Sequence, residues 1–342
     1  MPKSFPQPSP GKPTTALDAV LLTLGAGLAM LPLSAAGESG IDAPLQSRNL
    51  APIQANLGIP LMASAEGLDA GRWALTAGVH WASHSLFEQD RGQTLEFDGE
   101  TQRLDFNLAL GLGNGVTVTA NLPWVTHSGG SLDSLIDGWH GFWGLPDGAR
   151  DRQPQDRLLY ALDAQPGFLF DDELSGLGDA ELGLAWRFGA GENSAWSLFG
   201  QYKFASGDAP EFTGSGDDGF ALGLRYSNSA CLWRTLSCHL QAGVAAVGDI
   251  ELAPDAEEQL AFAGLTLAWT ITPAVALIGQ LEAQENPYTS GVLATLGTPV
   301  WGTLGLRWQP AQGWQLEGQF SEDLNVGTAP DVTFRLALTR SW

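Results

Sequence analysis

The sequence predicts an all-β chain, an antiparallel transmembrane β-barrel of about twelve strands, with fourteen as the alternative count. Three observations carry that expectation. Segments of roughly ten residues repeat with a period of two, apolar on one face and polar on the other. The connections between them alternate between long acidic stretches and short turns. The large aromatic residues fall near the two ends of the segments, in two bands.

The clearest segment is the last, Asp331–Trp342. Val332, Phe334, Leu336 and Leu338 alternate there with Thr333, Arg335, Ala337 and Thr339, and the chain stops on an aromatic residue. Arg335 in mid-strand needs water or a counter-charge, so the polar face points into a lumen and the apolar face to lipid. Earlier segments repeat the design. Trp73, Leu75, Ala77, Val79 and Trp81 share one face, and Leu104, Phe106, Leu108, Leu110 and Leu112 share another. Gly113-Asn114-Gly115 is a tight hairpin turn, and Val116–Trp124 returns from it. Pro123 near the end of that strand fits only a rim.

Beyond a connection of about fifty residues, unusually long, the strands resume at Leu177–Phe188, Ala195–Ala205, Asp218–Ser227, Cys238–Gly248 and Gln259–Thr270. They continue at Ala274–Gln284, Pro299–Gln309, Trp314–Glu322 and Asp331–Trp342. Long connections such as Ser85–Gly99 and Thr126–Gly176 alternate with short ones such as Gly189–Ser194 and Pro310–Gly313. With the short turns placed below, Trp73, Trp186, Trp196, Trp269, Trp308, Trp314 and Trp342 fall low. Trp81, Trp124, Phe204, Phe220 and Phe320 fall high. Eight residues separate Trp73 from Trp81, a rise of roughly 20 Å at ordinary strand tilt, close to a bilayer's apolar band. Both termini are then periplasmic, in the outer membrane of a Gram-negative cell.

Composition narrows the function. Among 342 residues, 16 Lys and Arg face 38 Asp and Glu, a formal net charge of -22. That excludes nucleic acid, whose phosphates need clustered cations. Lys3 and Lys12 precede an apolar run, Ala19–Leu33, and then Ser34-Ala35-Ala36. This layout predicts a cleaved signal peptide over residues 1–36. Residues 37–71 are Pro- and Gly-rich, a periplasmic or lumenal segment with room for one short strand at Ile53–Ile59; residues 72–342 form the barrel.

The inward face supplies the candidate lumen or constriction residues: Arg103, Asp105, Glu181, Arg187, Lys203, Arg225, Arg307, Glu317 and Arg335. They form either a ladder of ion pairs that stiffens the wall or a charged constriction that selects solutes. His80, His84 and His239 also point inward, and solvated histidines are expected in preference to a metal site. No metal or other cofactor is called for. Cys231 and Cys238 flank a turn placed in the oxidising periplasm, which predicts a disulfide. No catalytic triad, zinc spacing or phosphate loop stands out, so an enzyme is not expected. A lipid hydrolase is the minor alternative.

Within the long connection, Leu132, Leu135, Ile136, Trp139 and Phe142 recur at helical spacing. Trp139 and His140, with Arg150 and Arg152 beyond the helix, are candidate gate or ligand contacts. The helix is expected to cap the barrel mouth, with insertion into the lumen or a place on the lipid surface as alternatives.

Asp98-Gly99-Glu100-x-x-Arg103, Leu132-Asp133-x-x-Ile136-x-x-Trp139-His140 and Gly144-Leu145-Pro146-x-Gly148-x-Arg150 carry a resemblance. The chain resembles a family of Gram-negative outer-membrane barrel proteins, a domain of unknown function. The resemblance implies location and fold and supplies no activity. The leading expectation is therefore drawn from barrel physics: a channel or translocation protein for small, neutral or cationic solutes, whose acidic outer loops would concentrate cations. The alternative is a plugged structural barrel. Expected partners are outer-membrane lipid and lipopolysaccharide, and the barrel-assembly machinery reading the C-terminal strand that ends at Trp342.

Overall fold

Twelve antiparallel strands close a barrel in the computed structural model. It describes residues 40–342 except 144–152, Pro166, Pro254, Val326 and the side chains of Trp139, His140 and Trp143. The expected signal peptide therefore lies outside the described residues.

The strands are β1 (Trp73–Asp90), β2 (Gln93–Gly113), β3 (Val116–Ser128), β4 (Leu159–Asp163), β5 (Phe168–Phe170), β6 (Leu174–Leu177), β7 (Glu181–Ala190) and β8 (Ser194–Lys203). They continue as β9 (Gly219–Asn228), β10 (Leu236–Ala246), β11 (Gln259–Thr272), β12 (Val275–Gln284), β13 (Val300–Ala311), β14 (Trp314–Asp323) and β15 (Val332–Ser341). Each barrel strand pairs with its sequence neighbour, β3 pairs with β7, and β1 pairs with β15 from Ala74↔Ser341 to Ser83↔Val332. The closure leaves no free strand edge in the wall, as a lipid solvent requires.

The period of two sorts the side chains as expected. Leu184, Trp186, Leu224, Leu304, Leu306 and Leu336 are exposed on the outside, while Arg103, Asp105, Glu181, Lys203, Arg307 and Arg335 are buried within. Trp73, Trp186, Trp196, Trp269 and Trp308 mark the lower girdle, and Trp124, Phe204 and Phe220 the upper one, all exposed.

Three regions depart from the sequence reading. Ser85–Gly99 is not a loop, because β1 and β2 continue above the upper girdle to a turn at Arg91-Gly92. The long connection supplies the reason: β4 adds to β2 at Asp98↔Leu159 through Thr94↔Asp163 and β5 adds to β4, while β6 adds to β3 at Trp124–His127. The strand expected from Leu177 is in fact two, β6 and β7, separated opposite Pro123, which has no N–H for the ladder; Gly178 N–H donates to the Pro123 carbonyl at 3.0 Å. Ile53–Ile59 forms no strand and instead contains the turns at the top of a segment inside the barrel.

The expected helix forms as α1 (Asp133–Trp143), but it does not cap the mouth. Leu132 and Ile136 are buried with Val332 against Trp81, Phe320 and Phe334, all on the lipid-facing side of β1, β14 and β15. α1 thus lies on the outer wall at the upper girdle. Glu100 holds it there, accepting from Ser131 N–H at 2.7 Å, from Leu132 N–H and from the Trp81 indole. A carboxylate at a helix N-terminus satisfies otherwise orphaned donors and complements the dipole.

Candidate functional site: the lumen and the segment inside it

Residues 40–71 run up the inside of the barrel and back down. On the way up, Arg307 donates to the carbonyls of Ile41, Ala43 and Pro44 at 3.1, 2.7 and 3.1 Å. The Gln280 amide clasps Leu45, accepting from its N–H and donating to its carbonyl, both at 3.0 Å. Arg48 then forms a bidentate pair with Glu181 at 2.9 and 2.7 Å. Near the top, the Tyr288 hydroxyl donates to Ile53 O at 2.6 Å and Asn56 donates to Phe212 O at 2.8 Å. On the way down, Gln201 donates to Gly58 O and Gln241 to Pro60 O, each at 3.0 Å. Ala65 N–H donates to Ser227 Oγ at 2.8 Å and Leu68 N–H to Thr117 Oγ at 2.9 Å.

The segment has no sheet partner of its own, so its backbone groups take side-chain partners from the wall. Room for it comes from inward-facing glycines. A Cβ on Gly264 would stand 2.4 Å from Met62 Sδ, and one on Gly305 would stand 2.8 Å from both Leu45 methyls.

The candidate lumen residues do not form an open charged ring. Arg103 pairs with Asp105 at 3.1 Å, Lys203 with Asp179 at 3.0 Å, and Glu181 with Arg48 of the segment. Arg307 and Arg335 share the Glu317 carboxylate, Arg307 through Nε at 2.9 Å. Arg335 also reaches Gln46 Oε1 at 2.8 Å. Arg187 and Arg225 have no carboxylate partner among the described residues. Arg225 donates to Gln241 at 2.6 Å and lies over the Phe199 ring at 4.0 Å.

The histidines are not solvated, as the sequence reading had them. His80 lies 3.4 Å from Asp105, His84 Nε2 is 2.8 Å from Thr101 Oγ, and His239 donates from Nε2 to Asp42 O at 2.9 Å. The inserted segment and the packed upper loops, absent from a reading of strands alone, exclude water from all three.

Above the segment the lumen is dry. Ile53 and Leu57 meet Phe97, Tyr160, Phe170, Phe212, Leu260 and Phe262 in one apolar cluster. The short helix α2 (Gly291–Thr295) adds Val292 and Leu293. Burial pushes the phenols of Tyr160 and Tyr288 well above their ordinary range, so both remain neutral. Below, a cavity of ≈ 250 Å³ lies between the two limbs and the wall, lined by polar residues such as Asn107, Gln201 and Arg225 together with apolar ones such as Leu108, Leu184 and Phe199.

Of the remaining candidates, Cys231 and Cys238 are joined as a disulfide across the β9–β10 turn, with Cα atoms 5.9 Å apart. Arg150 and Arg152 lie outside the described residues, as do the side chains of Trp139 and His140. Sequence reasoning missed Arg48, Gln280 and Tyr288. Arg48 was the findable one, a lone cation in a Pro- and Gly-rich stretch otherwise without basic residues.

With this geometry in view, the chain belongs to the family described as Protein of unknown function (DUF3187), whose pattern matches residues 26–342. No curated protein matches the sequence. Among solved structures, the COG4313 outer membrane channel from Pseudomonas putida F1 is similar over 81% of this chain and 98% of its own, at 12% identity and a TM-score of 0.53. The KdgM porin covers 79% and 99% at 9% identity and a TM-score of 0.43. The NanC porin covers 78% and 98% at 7% identity and a TM-score of 0.44. At 12% identity the likeness to the COG4313 channel speaks for the fold alone, a β-barrel of the outer-membrane kind.

Proposed function

We propose that this protein is an outer-membrane channel for small solutes, drawn shut by its own residues 40–71. One observation carries the reading: the lower lumen keeps a cavity of ≈ 250 Å³, with polar and apolar lining, beside a segment held by polar contacts. A barrel built only as a membrane staple has no use for such a space. The short turns face the periplasm and the long acidic loops face outward, so the cavity is a periplasmic vestibule and the apolar cluster an external lid. Lipopolysaccharide surrounds the loops, and the assembly machinery reads the strand ending at Trp342.

Planar-bilayer recording tests this. The intact barrel is expected to conduct weakly, and a variant lacking residues 40–71 to open in larger, stable steps. Silence from both, with both folded, would sink the channel reading.

The bidentate Arg48–Glu181 pair supports a second reading, a permanently plugged structural barrel. There the deletion would lower thermal stability in detergent and leave conductance at zero.

A further inference from the structure

The arginines of the lumen fall into two groups. Arg48, Arg103, Arg307 and Arg335 each touch a carboxylate. Arg187 and Arg225 touch none among the described residues, and they are near neighbours. Register places Arg187 opposite Ser197 and Ser197 opposite Arg225, so the three sit side by side on β7, β8 and β9, facing inward. Ser197 is 1% exposed, and its hydroxyl has no hydrogen-bond partner among the described residues. Arg225 is half-buried, lies over the Phe199 ring, and spends donors on neutral oxygens of Gln241 and Leu61.

A guanidinium withdrawn from water without a counter-charge is costly, and so is a buried hydroxyl left unpaired. Both are relieved by one ligand. Around the cavity that Arg225 lines stand Arg307 and Arg335 on the far wall, sharing the single carboxylate of Glu317. With Arg225 the cavity wall carries three arginines against Glu317, the segment adds Glu66 to the lining and Asp42 nearby, and Arg187 and Ser197 stand beside the lining in register with Arg225. Asp42 is already engaged by Ser237, and Glu66 is exposed. The remaining lining mixes apolar groups such as Ala74, Leu108 and Phe199 with amides and hydroxyls that can donate to oxygen, among them Gln46, Asn107 and Thr339.

We propose that this cavity binds a small oxyanion, a carboxylate or a phosphate, held by Arg225 with Arg187 and Ser197 beside it. The planar fork of Arg225 suits two oxygens at once, and the rest of the cavity admits a body of a few carbon atoms. The sign is opposite to that of the acidic outer loops. Those loops set the potential outside, whereas the fixed charge at the vestibule wall sets which solute rests there. Only the view of this anion as a transported solute rests on the channel reading; the site itself is tested by binding, so the two can fail separately.

The experiment is isothermal titration of the full-length barrel in detergent with succinate, with inorganic phosphate and with neutral succinamide. Saturable binding of one or both anions and none of succinamide is expected, weakened at least tenfold in Arg225→Gln. Succinate alone would assign the carboxylate class, and phosphate alone the phosphate class. Should Arg225→Gln not fold, Arg187→Gln and Ser197→Ala replace it, each expected to weaken binding at least threefold. Arg91→Gln, in the exposed β1–β2 turn, is the control. The proposal is overturned if neither anion binds saturably, if the lumen variants bind as the parent does, or if Arg91→Gln loses as much.

Discussion

The upper and lower halves of this lumen share one wall and one inserted segment, yet they are different materials. Above, Ile53 and Leu57 of the segment meet buried phenylalanines and leucines from several loops and strand extensions. Below, the same segment passes threonines, amides and arginines around an open cavity. A β-barrel normally keeps a polar interior and an apolar exterior. Here the interior is itself divided, with the apolar packing concentrated in the upper part and the open space in the lower.

That division can be broken by experiment. Phe212→Ala removes a ring that packs on His127, Tyr160, Phe168 and Phe170. It is expected to destabilise the folded barrel by about 3–5 kcal/mol, read by denaturant titration in detergent. A loss below about 1 kcal/mol would mean the upper cluster is not a true core.

Glu181→Gln strips the carboxylate from Arg48 and leaves a buried cation. The expected cost is roughly 3 kcal/mol, at the low end of the range for a broken buried pair because Asn121 and water can rearrange. Protease cleavage within residues 40–71 should accelerate in this variant. Unchanged cleavage would show that the segment is held elsewhere.

Gly264→Leu places a side chain where Met62 sits. Overpacking of this kind costs about 1–3 kcal/mol, and here it should be relieved by release of the descending limb, seen as increased conductance. Asn107→Ala, on the cavity wall, should change stability by less than about 0.5 kcal/mol. If that last substitution matched Phe212→Ala, the contrast between the halves would collapse.

How much of this was legible beforehand follows from where the information sits. The wall was readable because a period of two is local: Leu336 and Arg335 differ in destination by one peptide. The girdles were readable because indoles prefer an interface whatever surrounds them. The disulfide needed only seven residues and a compartment. The amphipathic spacing of Leu132, Ile136 and their neighbours predicted α1, but spacing names an apolar face without naming its partner. That partner was the outside of β1, β14 and β15, reached through Glu100, and a cap over the mouth was the wrong expectation.

The lumen candidates were correctly faced inward, yet their pairing was out of reach. Arg48 and Glu181 are separated by 133 residues, and Gln280 and Leu45 by 235. Inward glycines such as Gly264 and Gly305 were a signal of something filling the barrel, because a water-lined face has no need of bare backbone. The sequence alone therefore determined an apolar-faced barrel of about twelve strands, since alternation and interface preference act within a few residues. Only the tertiary structure decided that the lumen is filled, apolar above and open to a cavity below, with two arginines that meet no carboxylate among the described residues. Those facts depend on which distant side chains meet, and no local pattern records that.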